Sequence, residues 1–196
     1  MTTVDTALQI IEVFALVTGV IYVILEIMQK NAMWVVGILT ASACAFSFGV
    51  QHVWASMGLN IYYVVMSVIG LYQWRKAGKQ VEEGDIHLVK LTPKVSGLSC
   101  GLLVILGSVL IPVLRSTGDP APWLDAVAVT MSIIGTWWLA MSYLEQWFIW
   151  IAADIITTTL CIVTKQYALA ALYLAYIGSA VYGYFHWKRR GKYITS

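Results

Sequence analysis

The sequence predicts an all-α membrane protein with seven transmembrane helices, arranged as two parallel three-helix repeats joined by a linker helix. Three observations support this fold class. The 196 residues are 60% apolar and only 11% charged, whereas soluble domains are about 45–50% apolar and about 25% charged. Seven apolar stretches long enough to cross a bilayer follow one another along the chain. The first three stretches also resemble the last three in sequence.

Each predicted span is a continuous apolar stretch, because about 20 such residues cross a hydrocarbon core of roughly 30 Å. In chain order, the spans are Ala7–Met28, Met33–Val50, Val53–Trp74, Ser96–Leu114, Leu124–Tyr143, Trp147–Val163 and Tyr167–Trp187. The strands of a membrane β-barrel instead alternate apolar and polar residues over about ten positions. The continuous stretches therefore favour helices over the strands of a β-barrel.

Basic residues are distributed unequally between the two ends of these spans. One side holds Lys30, Arg75, Lys76, Lys79, Lys90, Lys94, Lys188, Arg189, Arg190 and Lys192. The opposite side holds only Arg115 and Lys165. Because cytoplasmic loops carry an excess of Lys and Arg, we predict an external N-terminus and a cytoplasmic C-terminus.

An internal repeat is indicated by a match of the chain with itself, without gaps, that pairs Trp34 with Trp147. The same offset pairs Gly70–Lys79 with Gly183–Lys192. Because the offset spans four helices, the two copies run in the same direction. Parallel repeats are known from SWEET transporters, in which the substrate site lies between the halves near the membrane midplane. A SWEET-like 3+1+3 arrangement is predicted, although repetition alone indicates a scaffold and not an activity.

The predicted domain organisation has three parts. Residues 1–79 form the first three-helix repeat, and residues 80–119 form a cytoplasmic loop followed by the linker helix. Residues 120–196 form the second three-helix repeat with a basic cytoplasmic tail.

Composition and motifs exclude several classes of function. A net charge of +2 provides no basic surface for nucleic acid, so no nucleic-acid partner is expected. The three cysteines lie in apolar stretches at spacings that match no metal site. The sequence contains no phosphate-binding loop and no cluster of His, Cys and carboxylates. We therefore expect no metal, no cofactor and no catalytic residue, and we interpret the chain as a membrane protein that is not an enzyme.

The sixth span carries the strongest candidate for a binding site. Trp147, Trp150 and Asp154 stand at positions i, i+3 and i+7, which share one face of a helix. A carboxylate inside the bilayer costs about 2.5–3.5 kcal/mol on insertion scales, so Asp154 should face a cavity or a partner. Two indoles could hold a flat ring, and a cationic ring would gain cation–π energy. The alternative is a protonated Asp154 that hydrogen-bonds to a neighbouring helix.

Polar residues in the third and seventh spans are the other candidate contacts. Asn60, Tyr63 and Ser67 share one helix face, and the second repeat has Tyr173 and Tyr176 at matching positions. Amide and phenol groups can bond the hydroxyls of a substrate. The alternative is that they join helices to one another, which we favour for Ser67.

The two copies differ at the candidate site. Where the second copy has Trp147, Trp150 and Asp154, the first has Trp34 followed by Gly37 and Ala41. The second half is therefore expected to carry the binding groups, and the first half to leave room for the ligand.

Three motifs resemble the bacterial PnuC family of vitamin transporters. They are Trp147-x-x-Trp150 preceded by Glu145-Gln146, Asn60-x-x-Tyr63, and the segment Gly70-Leu-Tyr-Gln-Trp74. The resemblance runs over essentially the whole chain. It implies uptake of nicotinamide riboside for NAD biosynthesis by facilitated diffusion across the bacterial inner membrane, with trapping by a cytosolic kinase. It also implies that Trp147, Trp150 and Asn60 contact the ligand.

Two positions depart from the family pattern, in which Asp154 is replaced by Asn and Asn60 is often Gln. A carboxylate favours a cationic ring, as in nicotinamide riboside or thiamine, over the neutral ring system of riboflavin. The leading prediction is a nicotinamide riboside uniporter whose ligand contacts are Trp147, Trp150, Asp154, Asn60, Tyr63, Tyr173 and Tyr176. Thiamine transport is the alternative, followed by proton-coupled export of a small molecule. A homo-oligomer is left open.

Overall fold

The computed structural model describes residues 3–118 and 121–194, and the side chains of these residues except 3–9, 12, 13, 15 and 16. Within these ranges the helices are α1 (Thr3–Ile27), α2 (Ala32–Val50), α3 (Trp54–Ala77), α4 (Pro93–Ser116), α5 (Pro122–Ala140), α6 (Gln146–Val163) and α7 (Tyr167–Arg190). A single 3-10 turn (Gly78–Gln80) and two short strands, β1 (Ile86–Leu88) and β2 (Gly191–Tyr193), complete the described elements. The predicted domain boundary at residues 119 and 120 lies outside the described residues.

The prediction of a helical membrane protein is confirmed. All seven predicted spans fall on helices, and α2 to α7 are long and apolar enough to cross a membrane. Helix α1 is 25 residues long, and an apolar stretch, Val17–Ile27, lies in its described C-terminal part. The two strands were not predicted, because three residues are too few to show an alternating pattern.

The start of α4 illustrates how the sequence sets a helix boundary. The Thr92 hydroxyl accepts a hydrogen bond from the Val95 N–H, and Pro93 occupies the first helical position. Threonine is a favoured N-cap, and the missing N–H of proline is not needed in the first turn. The helix therefore begins three residues before the predicted span at Ser96.

The chain forms two compact units, Met1–Ile86 and His87–Ser196. In the first unit, α2 packs against both α1 and α3. Trp34 of α2 is fully buried and meets Trp74 of α3 edge-on, with the ring centroids 5.0 Å apart. A Cβ on Gly70 would overlap the Trp34 indole, so glycine is what lets the two helices approach closely.

In the second unit, the same contact joins α6 to α7. Trp147 meets Trp187 edge-on at 5.3 Å and lies directly against Gly183. Both indoles are buried. The three residues stand at the same sequence offset as their counterparts in the first unit, so each helix pair is held by an equivalent contact.

Residues 87–92, which belong to the predicted cytoplasmic loop, are hydrogen-bonded within the second unit. The Val89 N–H donates to the Ser142 carbonyl, and the Ile194 N–H donates to the Leu88 carbonyl. Burial lowers the pKa of His87 to about 4, so its imidazole is neutral at pH 7. The chain before α4 is therefore fastened to the end of α5 and to the C-terminal strand.

Helix α4 is attached to α5 by a buried hydrogen bond. The indole N–H of Trp138 donates to the Ser99 hydroxyl at 3.0 Å. Ile134, Trp138 and Tyr143 form an apolar cluster at this end of α5, and Val95 of α4 packs against it. The predicted linker helix thus packs within the same compact unit as α5, α6 and α7.

A methyl group at Gly183 is expected to destabilise the α6–α7 contact. Gly183→Ala places a Cβ inside the Trp147 indole, and such overpacking costs about 1–3 kcal/mol. Thermal unfolding of the purified protein in detergent should show a lower midpoint for this variant.

Gly178→Ala is the matched control, since it lies on the same helix and nothing lies within 4 Å of its added Cβ. Alanine is the better helix former, so this variant should be at least as stable as the wild type. An equal decrease of the unfolding midpoint in both variants would show that close packing at Gly183 does not stabilise the α6–α7 contact.

Candidate functional site

The second unit brings three of the predicted site residues together. Asp154 lies about 12 Å along α6 from Gln146, at 1.5 Å per residue, and only 9% of it is exposed. Its carboxylate acts electrostatically on Tyr173 and Tyr176 of α7. The two tyrosine rings lie 5.9 Å apart, almost perpendicular to one another. A buried carboxyl group of α6 therefore lies within electrostatic range of two phenol groups of α7.

The contact between Trp147 and Gly183 sets this arrangement. Helices α6 and α7 are antiparallel neighbours joined by a short turn. Seven residues forward from Trp147 is Asp154, and seven residues back from Gly183 is Tyr176. Because seven residues are close to two full turns, the pair stays on the facing sides of the two helices.

Trp150 is half-buried and faces a different helix from Trp147. A Cβ on Gly135 of α5 would lie 3.2 Å from Cε2 of the Trp150 indole, so the ring rests on the α5 backbone. The Trp150 indole N–H is buried and has no hydrogen-bond partner among the described residues. This indole combines an available polar atom with partly exposed ring surface.

Trp147 has a different environment, although the sequence treats the two indoles alike. Its ring is enclosed by Gly183 and Trp187, and only 2% of the residue is exposed. Its indole N–H also lacks a partner within the described part of the chain. The ring surface of Trp147 is thus used in helix packing, as that of Trp34 is in the first unit.

The sequence analysis named Gln146, at the start of α6, as part of a motif but not as a candidate ligand contact. This residue is fully buried, and neither its amide oxygen nor its amide nitrogen has a partner in the described ranges. It lies four residues before Trp150 and eight before Asp154, on the same side of the helix. Comparison of the two repeats could have indicated it, since the equivalent residue in the first copy is the apolar Met33.

The first-unit candidates lie on α3. The Asn60 side chain donates to the Ser56 carbonyl at 2.9 Å, which uses one of its amide hydrogens. The Tyr63 ring lies 5.8 Å from that of Tyr62, and Tyr63 also acts electrostatically on Tyr22 of α1. Neither Asn60 nor Tyr63 is fully buried.

The space that a side chain at Gly37 would occupy is filled within the first unit. A Cβ at Gly37 would lie 2.9 Å from the Ser67 hydroxyl oxygen and 3.1 Å from the Tyr22 ring. The space is filled because α1 contributes a large aromatic residue that the comparison of α2 with α6 did not consider. Glu26 of α1, a buried carboxylate that acts electrostatically on Tyr22, was also not predicted.

A cavity of about 530 Å³ lies in the first unit at the end of α3. Its lining includes Arg75, Lys76 and Lys79, which makes it basic. It contains none of the predicted ligand contacts.

A comparison with protein families matches residues 9–189 to a model described as "Nicotinamide mononucleotide transporter". Among curated proteins, the nicotinamide riboside transporter PnuC of Neisseria mucosa is 29% identical over 185 residues, covering 89% of this chain and 70% of that protein. The nicotinamide riboside transporter PnuC of Haemophilus influenzae is 23% identical over 176 residues, covering 88% of this chain and 76% of that protein.

A solved structure has the same fold. The "Crystal structure of the Vitamin B3 transporter PnuC" superposes with a TM-score of 0.67 at 27% sequence identity. The match covers 95% of this chain and 89% of the solved chain.

Proposed function

Because the chain belongs to the nicotinamide mononucleotide transporter family, we propose that it takes up nicotinamide riboside across the bacterial inner membrane by facilitated diffusion. Membership confirms the resemblance to the PnuC family and makes the chain a multi-pass membrane transporter, not an enzyme. The observation that supports this substrate best is the buried Asp154 carboxylate beside Tyr173 and Tyr176. A fixed cation in a flat ring matches this site.

Each predicted contact has a role in this proposal. Trp150 stacks on the pyridinium ring and Asp154 offsets its charge. Tyr173 and Tyr176 bond the sugar hydroxyls. Trp147 presents its indole N–H and holds α6 in register with α7.

Asn60 and Tyr63 are further hydrogen-bonding groups for the same ligand. Flux follows the substrate gradient, because a ligand with no coupled ion supplies no other driving force. Phosphorylation by a cytosolic kinase then retains the imported riboside.

The same proposal includes the 3+1+3 arrangement, with repeats at 1–79 and 120–196 and the linker at 80–119. The equivalent contacts Trp34–Gly70 and Trp147–Gly183 support duplication. The basic residues support an external N-terminus and a cytoplasmic C-terminus.

The riboside is a better ligand than its 5′-mononucleotide on electrostatic grounds. Helix α6 (Gln146–Val163) contains no Lys or Arg, so a phosphate near Asp154 would find a carboxyl group and no compensating cation on this helix. Titration calorimetry should show nicotinamide riboside binding at least ~10-fold tighter than the mononucleotide, a difference of ~1.4 kcal/mol.

Thiamine and riboflavin belong in the same titration. Thiamine is the second candidate, because its thiazolium ring also carries a fixed positive charge. Tighter binding of thiamine or of the mononucleotide would contradict the substrate proposed here.

Trp150→Ala removes the stacking surface. Binding of nicotinamide riboside should weaken about 5- to 150-fold, which corresponds to about 1–3 kcal/mol of ring stacking. Calorimetry on the purified variant measures the change.

Trp54→Ala replaces an exposed tryptophan and should leave affinity unchanged. Trp147→Ala should lower the thermal unfolding midpoint of the protein, because it removes the ring that packs on Gly183. Unaltered affinity in Trp150→Ala would reject the stacking role.

Asp154→Asn tests the charge directly, because the amide keeps the shape of the carboxylate. The variant should lose more affinity for nicotinamide riboside than for its dihydro form, whose ring is neutral. Equal losses for the two ligands would show that the carboxylate does not recognise charge. A dependence of wild-type transport on the proton gradient would instead favour proton coupling through Asp154.

A further inference from the structure

Residues that carry polar groups recur along α6 and extend past Asp154, the last ligand contact predicted on this helix. Every fourth residue contributes one, and the members are Gln146, Trp150, Asp154 and Thr158. The equivalent residues of the first copy are Met33, Gly37, Ala41 and Ala45. At all four positions the side chain has a polar group in the second copy and is apolar in the first. This series of polar groups therefore occurs in one repeat only.

Thr158 differs from the threonines on either side of it. Thr157 and Thr159 each donate their hydroxyl to the carbonyl four residues earlier, at 2.9 Å in both cases. This is how a threonine in a helix ordinarily satisfies its hydroxyl. The Thr158 hydroxyl makes no hydrogen bond to any described residue, although only 7% of the residue is exposed.

A buried hydroxyl without a partner costs stability, so its presence calls for an explanation. The carbonyl four residues before Thr158 is that of Asp154, and the Thr158 hydroxyl does not donate a hydrogen bond to it. Its hydroxyl lies on the same side of α6 as the Asp154 carboxylate and one turn further along, a rise of about 6 Å. The Thr158 hydroxyl thus lies one helical turn from Asp154 and has no hydrogen-bond partner among the described residues.

We propose that Thr158 is a further substrate-binding residue, whose hydroxyl bonds a ring hydroxyl of the pentose. The proposal rests on the transport function given above and extends its site. From Trp150 to Thr158 the helix rises about 12 Å, which accommodates a stacked ring, its charge and an attached sugar in that order. The site selects a cationic heteroaromatic ring that bears a hydroxylated substituent.

The test is titration calorimetry on the full-length purified protein. Thr158→Val keeps the shape of the side chain and removes the hydroxyl. It should weaken binding of nicotinamide riboside about 2- to 10-fold, as expected for one hydrogen bond. Thr158→Ser keeps the hydroxyl and should bind close to the wild type.

Thr157→Val and Thr159→Val are matched controls, because each removes a hydroxyl that is already bonded within the helix. Both should bind like the wild type. The 2′-deoxy and 3′-deoxy ribosides identify the sugar hydroxyl that Thr158 bonds. The affinity of the analogue that lacks this hydroxyl should be unchanged by Thr158→Val.

Two results would overturn the role of Thr158 and leave the proposed transport function standing. One is an unchanged affinity of Thr158→Val in a protein whose affinity falls with Trp150→Ala. The other is an equal loss in the control variants or for both deoxyribosides. Failure of the wild-type protein to bind nicotinamide riboside would overturn the proposed function, and this inference with it.

Discussion

The close approach of an indole to a glycine backbone determines the geometry of each unit. In the second unit, Trp147 against Gly183 fixes both the distance between α6 and α7 and their rotation. The rotation places Asp154 opposite Tyr176. The first unit has the same contact between Trp34 and Gly70, and two turns further along the equivalent pair is Ala41 and Tyr63. The same frame thus presents an acid in one copy and a methyl group in the other.

The two indoles of the Trp-x-x-Trp motif separate because three residues do not complete a helical turn. Trp150 is rotated by about 60° from Trp147 at 3.6 residues per turn. That rotation directs Trp147 to Gly183 of α7 and Trp150 to Gly135 of α5. The pattern in the sequence places both on one broad face. Only the positions of the neighbouring helices show that one ring packs and the other keeps exposed surface.

The helices follow from the sequence, since long apolar stretches are a local property, and helical spacing places Tyr173 and Tyr176 near one another on α7. Contacts that depend on a third helix cannot be predicted in this way. The space beside Gly37 is filled by Tyr22, and the burial of Glu26 depends on how α1 packs. Thr158 was missed because three consecutive threonines look alike, whereas the structure distinguishes them by their hydrogen bonds. Comparison of the repeats position by position would have separated all four polar positions of α6 from the apolar residues of the first copy.

A carrier must hold its binding groups in the membrane when the substrate is absent. A buried Lys or Arg beside Asp154 would stabilise the carboxylate, but it would also compete with a cationic ligand. Phenol groups avoid this conflict, because Tyr173 and Tyr176 can donate hydrogen bonds to an anion without neutralising it. In the proposed site, the unfavourable energy of the desolvated carboxylate is relieved by protonation or by a ligand that brings its own positive charge. On the proposed function, a cationic ligand would gain affinity from its charge and a neutral ring of the same shape would gain none, so the composition of the site would itself provide selectivity.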